Sequence, residues 1–331
     1  MMFFLCISFI IMFAVYSQGC LLAAGLAASQ FLYIVLPSIF PFYVASEILS
    51  RTGFIETLGH RARLIMKPLF NINGQGAFAM VLGMVSGYPA GARLTASLFE
   101  NDQISKNEAE RLSSFTNNCG PLFIIGAIGA GMLGSWKIGL FLWICHLLAS
   151  ITTGMIFSNY RRVDMVRKLT VEKSILPIKR KFTISEKGRI VSESIIAAIY
   201  IMIPIGGFII FFSVVSSVLI QCGAIPTISA FLGNLLGYSS VPDISSGMLS
   251  GLLEITGGIS QLAKSPIIPQ YLKLPAISFI AGWAGISVHI QVIGILSNAK
   301  MSCRPYIKGK ILHGFIAAIY TLAIGYFFNF I

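Results

Sequence analysis

The chain has 331 residues, of which 56% are apolar and only 11% charged, with a mean hydropathy of +0.82. Soluble globules carry about 25% charged residues, so the composition excludes that class and indicates a polytopic membrane protein. The formal net charge of +12 sits in short segments beside apolar stretches: residues 159–189 hold ten Lys/Arg against three Asp/Glu, 51–67 four against one, and 300–310 four against none. This is the positive-inside distribution. No RRM, zinc-finger or helix-turn-helix signature accompanies it, so nucleic acid is not an expected partner.

Residues 1–17 lack a basic leader and are soon followed by another apolar segment, which favours an uncleaved first helix over a signal peptide. Apolar stretches of near-spanning length lie at 1–17, 31–49, 115–133, 137–157, 195–219, 275–297 and 311–330. Pro37 and Pro41 predict a kink in the second. Residues 54–70 mix basic and bulky apolar side chains at helical spacing, the pattern of a helix lying along the interface. Residues 77–99 are apolar and carry no charge except Arg93. Their Gly87-Tyr88-Pro89 sequence predicts a break, because proline lacks an N–H and clashes with the preceding turn. In hydrocarbon such a break survives only where protein or a water-filled cavity covers it. Ser105 and Glu108 form a capping-box pattern that opens a short polar helix.

Residues 244–268 form a second interrupted stretch, with Gly247, Gly251, Glu254, Gly257, Gly258 and Gln261 before Pro266. Reading both interrupted stretches as re-entrant hairpins puts all three basic segments on the inner side, with the first hairpin inner and the second outer. A short gapped match, Leu82–Leu94 against Ser250–Leu262, sets Ser86 opposite Glu254. Each hairpin precedes a crossing with polar interruptions, at 114–121 and 278–283. Paired interrupted segments of opposite orientation point to a transporter with its site between repeats, near mid-membrane. The fold class is therefore an all-α polytopic membrane protein with about seven crossings plus two re-entrant helical hairpins in an inverted-repeat arrangement.

The candidate substrate-binding residues are Ser86, Gly87, Tyr88, Arg93, Thr116, Asn117, Asn118, Glu254 and Gln261. Arginine in lipid costs from about 2.5 to above 10 kcal/mol. Arg93 therefore either snorkels from a hairpin end or pairs with an anionic solute or with Glu254. Asn117 and Asn118, before the Gly120-Pro121 break, can donate and accept toward a polar solute, or cap a helix. Glu254 must be paired, protonated or solvated. It could bind a coupling cation or proton, meet solute hydroxyl or amino groups, or serve as a structural partner of Arg93. His289 could relay a proton or pack. The histidines show no ligand spacing, the six cysteines contain no C-x-x-C pair, and neither a G-x-S-x-G elbow nor a Walker A pattern is present. No enzyme activity, metal or cofactor is expected.

The segments LPSIFPF (36–42), GMVSGYPAGARLTASL (83–98), NEAERLSSFTNNCGPLFIIGAIGAGML (107–133) and GLLEITGGI (251–259) resemble the YlbJ, or stage V sporulation protein V, family of sporulation integral membrane proteins. That family is similar to the gate, or nucleoside-recognition, domain of concentrative nucleoside transporters. The resemblance implies import of dipicolinic acid into the forespore across its mother-cell-derived outer membrane, by alternating access. The motif positions are Ser86, Gly87, Tyr88, Pro89, Gly91, Arg93, Asn117 and Glu254. It also implies a division into N-terminal membrane helices (1–50), a first gate-like repeat (51–158), a basic cytoplasmic-side linker (159–192) and a second gate-like repeat with a C-terminal helix (193–331). The expected partners are the lipid bilayer, a small anionic solute, a coupling proton or sodium ion, and further copies in a homo-oligomer. Transport of nucleosides or another small polar solute, and a non-transporting scaffold role in spore-envelope assembly, are the alternatives.

Overall fold

A computed structural model describes residues 2–52, 54–161, 183–237 and 240–328. Every regular element among them is helical. In chain order they are α1 (Met2–Val15), α2 (Ser17–Gln30), a π-helical turn (Phe31–Val35), α3 (Leu36–Arg51), α4 (Phe54–Phe70), α5 (Gly76–Ser86), α6 (Ala90–Glu100), α7 (Lys106–Ser113), a π-helix (Leu122–Met132) and α8 (Trp136–Phe157). The second part runs through α9 (Ile184–Gln221), α10 (Ala224–Leu236), α11 (Val241–Leu253), α12 (Ile255–Lys264), α13 (Gln270–Trp283), α14 (Gly285–Asn298) and α15 (Arg304–Phe327). Most of the basic linker expected at 159–192, namely 162–182, lies outside the described residues.

Among the described residues, five segments are long and apolar enough to cross a membrane: Ser17–Val35, Trp136–Phe157, Ile184–Gln221, Gln270–Asn298 and Arg304–Phe327. Large apolar side chains such as Leu22, Leu26, Ile203, Phe231 and Phe315 point outward, as a surface facing acyl chains requires. Three details differ from the sequence reading. The first membrane-length segment after α1 falls on Ser17–Val35 rather than 31–49, within a continuous helical run to Arg51 whose π-helical turn directly precedes Leu36-Pro37. Residues 115–133 are not one helix, because the chain turns and unwinds over 114–120 before the π-helix begins. Residues 275–297 are split at Ala284, whose φ of 83° ends α13 and starts α14.

Both expected hairpins form. Helices α5 and α6 pack together about the Gly87-Tyr88-Pro89 tip, and α11 and α12 pack together about Glu254. The capping box closes in both directions at the start of α7: Glu108 N donates to Ser105 Oγ at 3.3 Å, and Ser105 N donates to Glu108 Oε2 at 2.8 Å. Each half then follows one order: a long helix, a shorter amphipathic helix, a hairpin, a broken helix and a final long helix. The halves interlock, since α14 of the second packs on α6 of the first, and α12 packs on the first half's π-helix.

The unwound stretch crosses the first hairpin where side chains are absent. A Cβ at Gly83 or at Gly91 would overlap the Thr116 carbonyl oxygen, so the backbone itself fills the seam between α5 and α6. Behind this seam Phe70 and Phe115 stack with ring centroids 4.8 Å apart, within a core that includes Phe78 and Leu112. Gly91→Ala should cost about 1–3 kcal/mol or more through overpacking. Gly25→Ala, with open space around the added methyl, should stay within about 0.5 kcal/mol. Thermal unfolding of the two detergent-solubilised variants measures the contrast.

Candidate functional site

The two hairpin tips meet at one cavity. The first contributes Ser86, Gly87 and Tyr88, and the second contributes Glu254, Ile255 and Thr256. The unwound stretch adds Cys119 and Gly120, and α14 adds Ser287 and Gln291, one helical turn apart on one face. The opposite wall is apolar: Val35 and Ile39 from the α2–α3 rod, and Ile205 and Ile209 from α9. The interior volume is about 60 Å³, room for a few water molecules.

Gly87 shapes the first tip. Its φ of 81° is in the region that favours glycine, and its Cα faces the backbone of Gly120. The Ser86 hydroxyl and the Tyr88 hydroxyl are buried and form no hydrogen bond of normal geometry, although the Cys119 thiol neighbours Tyr88. Two unmet polar groups on a cavity wall are groups that a polar solute can satisfy.

Glu254 is the N-cap of α12. Its Oε1 accepts from Thr256 N at 2.9 Å and its Oε2 from Gly257 N at 2.8 Å. The helix end thus meets the buried charge with two N–H groups and the positive end of its dipole. The partnership with Arg93 weighed from sequence is not formed. Arg93 lies on the exposed face of α6, outside the cavity wall and within electrostatic reach of Tyr43. Gln261 is likewise outside the wall. Its amide bridges the two arms of the second hairpin through Ser250 Oγ at 3.1 Å and Ser246 Oγ at 3.3 Å.

Thr116, Asn117 and Asn118 are buried beside the cavity rather than in its wall. Thr116 Oγ1 donates to Leu112 O at 3.0 Å, and Asn118 Nδ2 to Phe115 O at 2.9 Å. The Asn117 side chain, 1% exposed, forms no hydrogen bond of normal geometry through either amide atom, although the Tyr306 hydroxyl is nearby.

Side chains from elsewhere hold the unwound backbone. Ser150 Oγ donates to Phe115 O at 2.7 Å, and Cys119 N donates to His146 Nε2 at 3.1 Å. From α15, Lys310 Nζ donates to Asn117 O at 3.0 Å. Lys310 also lies 3.4 Å from His313 Nδ1, while His313 Nε2 donates to His146 O at 3.0 Å. The His146 and His313 rings are 4.4 Å apart, and His289 Nδ1 pairs with Tyr306 OH at 2.8 Å. Sequence reasoning missed Lys310, His146 and His313. Lys310 stood in the basic segment 300–310, but α15 begins at Arg304 and carries it inward to 1% exposure. The available signal was Lys310 and His313 at i, i+3, one face of a helix that turns apolar immediately after.

The sporulation integral membrane protein YlbJ of Bacillus subtilis (strain 168) is 34% identical to this chain over 311 residues, covering 91% of this chain and 76% of that protein. The chain belongs to the YlbJ family. Within it, residues 32–159 match the Gate family, described as nucleoside recognition. The fold is similar to that of CNTnw in an inward-facing substrate-bound state, with a TM-score of 0.53 and 14% identity over 98% of this chain and 86% of that one. The chain is thus a multi-pass integral membrane protein of a sporulation family with a transporter-type fold.

His146→Phe keeps an aromatic ring but leaves the buried Cys119 N–H without its acceptor. The expected cost is about 1–3 kcal/mol, seen as a lower unfolding midpoint of the solubilised protein.

Proposed function

We propose that this member of the YlbJ family carries a small planar dianion, dipicolinate, across the outer forespore membrane by alternating access. The observation that carries the reading is a cavity walled by both hairpin tips, with Ser86 and Tyr88, whose hydroxyls form no hydrogen bond of normal geometry, among its lining residues. Sites at the meeting of two broken repeats are where transporters of this architecture hold their solute. The first turn of α6 opens at the same tip, and a helix N-terminus favours negative charge. Glu254 does not oppose an anion as a bare charge would, since Thr256 and Gly257 already donate to both of its oxygens.

In this reading residues 51–158 and 193–331 act as the two gate-like repeats around the solute. Ser86, Tyr88, Ser287 and Gln291 supply direct hydrogen bonds, and Asn117 and Asn118 stand behind them. Arg93 is not assigned to the solute. The Gate match supports a second reading, transport of a nucleoside.

Labelled dipicolinate and labelled uridine, offered separately to proteoliposomes of the purified protein, distinguish these readings. Dipicolinate uptake is expected, with Tyr88→Ala lowering it about tenfold, the worth of one well-placed hydrogen bond, and Arg93→Ala retaining it. Uptake of uridine alone would transfer the assignment to nucleosides. Uptake of neither would favour the scaffold role.

A further inference from the structure

Lys310 is a lysine buried to 1% exposure in the middle of a membrane protein, a position that is costly and marks function. It forms no ion pair among the described residues. Its neighbours are neutral: the Asn117 carbonyl at 3.0 Å, the His313 Nδ1 at 3.4 Å and the Tyr88 ring, 5.9 Å to the centroid. The bond from His313 Nε2 to His146 O leaves Nδ1 as the acceptor toward Lys310. Glu254, the carboxylate of the cavity, is occupied by the N-terminus of α12. Beside Lys310, both Asn117 amide atoms and the His146 Nδ1 are buried without a hydrogen bond of normal geometry.

In transporters built on broken helices, carbonyls of the unwound backbone are the groups that coordinate the coupling cation. Here the unwound Asn117 carbonyl is already taken by an ammonium on a side chain of the same protein. A sodium ion and a lysine ammonium carry the same charge and seek the same oxygens, so the two compete for one place.

We infer that Lys310 is a tethered cation: it occupies the coupling-ion position at the unwound Asn117 carbonyl, and the protein binds and moves its solute without sodium. The role builds on the transport reading, and two separate measurements test them.

The first is thermal unfolding of the solubilised protein in sodium chloride against choline chloride, which needs no substrate. Wild type is expected to unfold at one temperature in both salts. Lys310→Ala, which opens the carbonyl, is expected to unfold earlier and to be restored in part by sodium or by butylammonium. Lys310→Arg, which keeps a positive charge, is expected to remain indifferent to sodium. Stabilisation of wild type by sodium would overturn the inference, as would a folded Lys310→Ala that responds to neither cation. Should Lys310→Ala fail to fold, the wild-type and Lys310→Arg salt comparisons still decide.

The second is dipicolinate uptake by wild-type proteoliposomes with sodium replaced by choline on both sides. Equal uptake supports the inference, and loss of about tenfold or more on removing sodium overturns it. Absence of uptake in either salt would count against the transport reading, while the unfolding measurement would still judge Lys310.

Discussion

Unwinding a helix inside a bilayer strands backbone N–H and C=O groups where no bulk water can reach them. The stretch after Phe115 does this, and much of the structure around it exists to meet those groups. Ser150, Lys310 and His146 satisfy the Phe115 carbonyl, the Asn117 carbonyl and the Cys119 N–H respectively. The Gly120 carbonyl accepts from Phe123 and Ile124 as the π-helix begins. The stretch can lie so close to the first hairpin only because Gly83 and Gly91 present no side chain to the Thr116 carbonyl. Hairpin, break, α8 and α15 are thereby a single mechanical unit, and the cavity inherits its shape from it.

The two halves solve the same problem differently. In the second, the break is confined to Ala284 and Gly285, with φ values of 83° and 78°, and Gly285 packs against the carbonyls of Leu253 and Gly251 at the second tip. Few backbone groups are exposed by so short a break. The first break is longer and recruits side chains from α8 and α15, far away in sequence. The repeat is thus one of element order, while its chemistry is asymmetric.

That asymmetry explains what could be read from sequence. Gly87-Tyr88-Pro89 and the glycines around Glu254 are local signals, and both hairpins were legible from them, as was the cap at Ser105. The short match that set Ser86 opposite Glu254 named two residues that both line the cavity, although it did not say that they meet. For Arg93, isolation in an apolar run left open which face of the helix it occupies, and the structure puts it on the exposed one. The contacts around Lys310 were hidden for a different reason. They join residues 193 and 167 positions apart, and a lysine that follows a basic loop has the composition of an inner-side residue until the helix start is known.

The cavity's two sides differ in kind. The hairpins, the unwound stretch and α14 offer hydroxyl, carboxylate, thiol and amide groups, whereas Val35, Ile39, Ile205 and Ile209 offer only methyl and methylene surface. Dispersion contacts of that sort have no preferred direction and no donor to match with an acceptor. A smooth hydrocarbon face therefore specifies no single register for the polar face opposite it, and displacement along it breaks no directional bond between those four side chains and the site. The solute's grip and the surface it would travel past are assigned to separate helices.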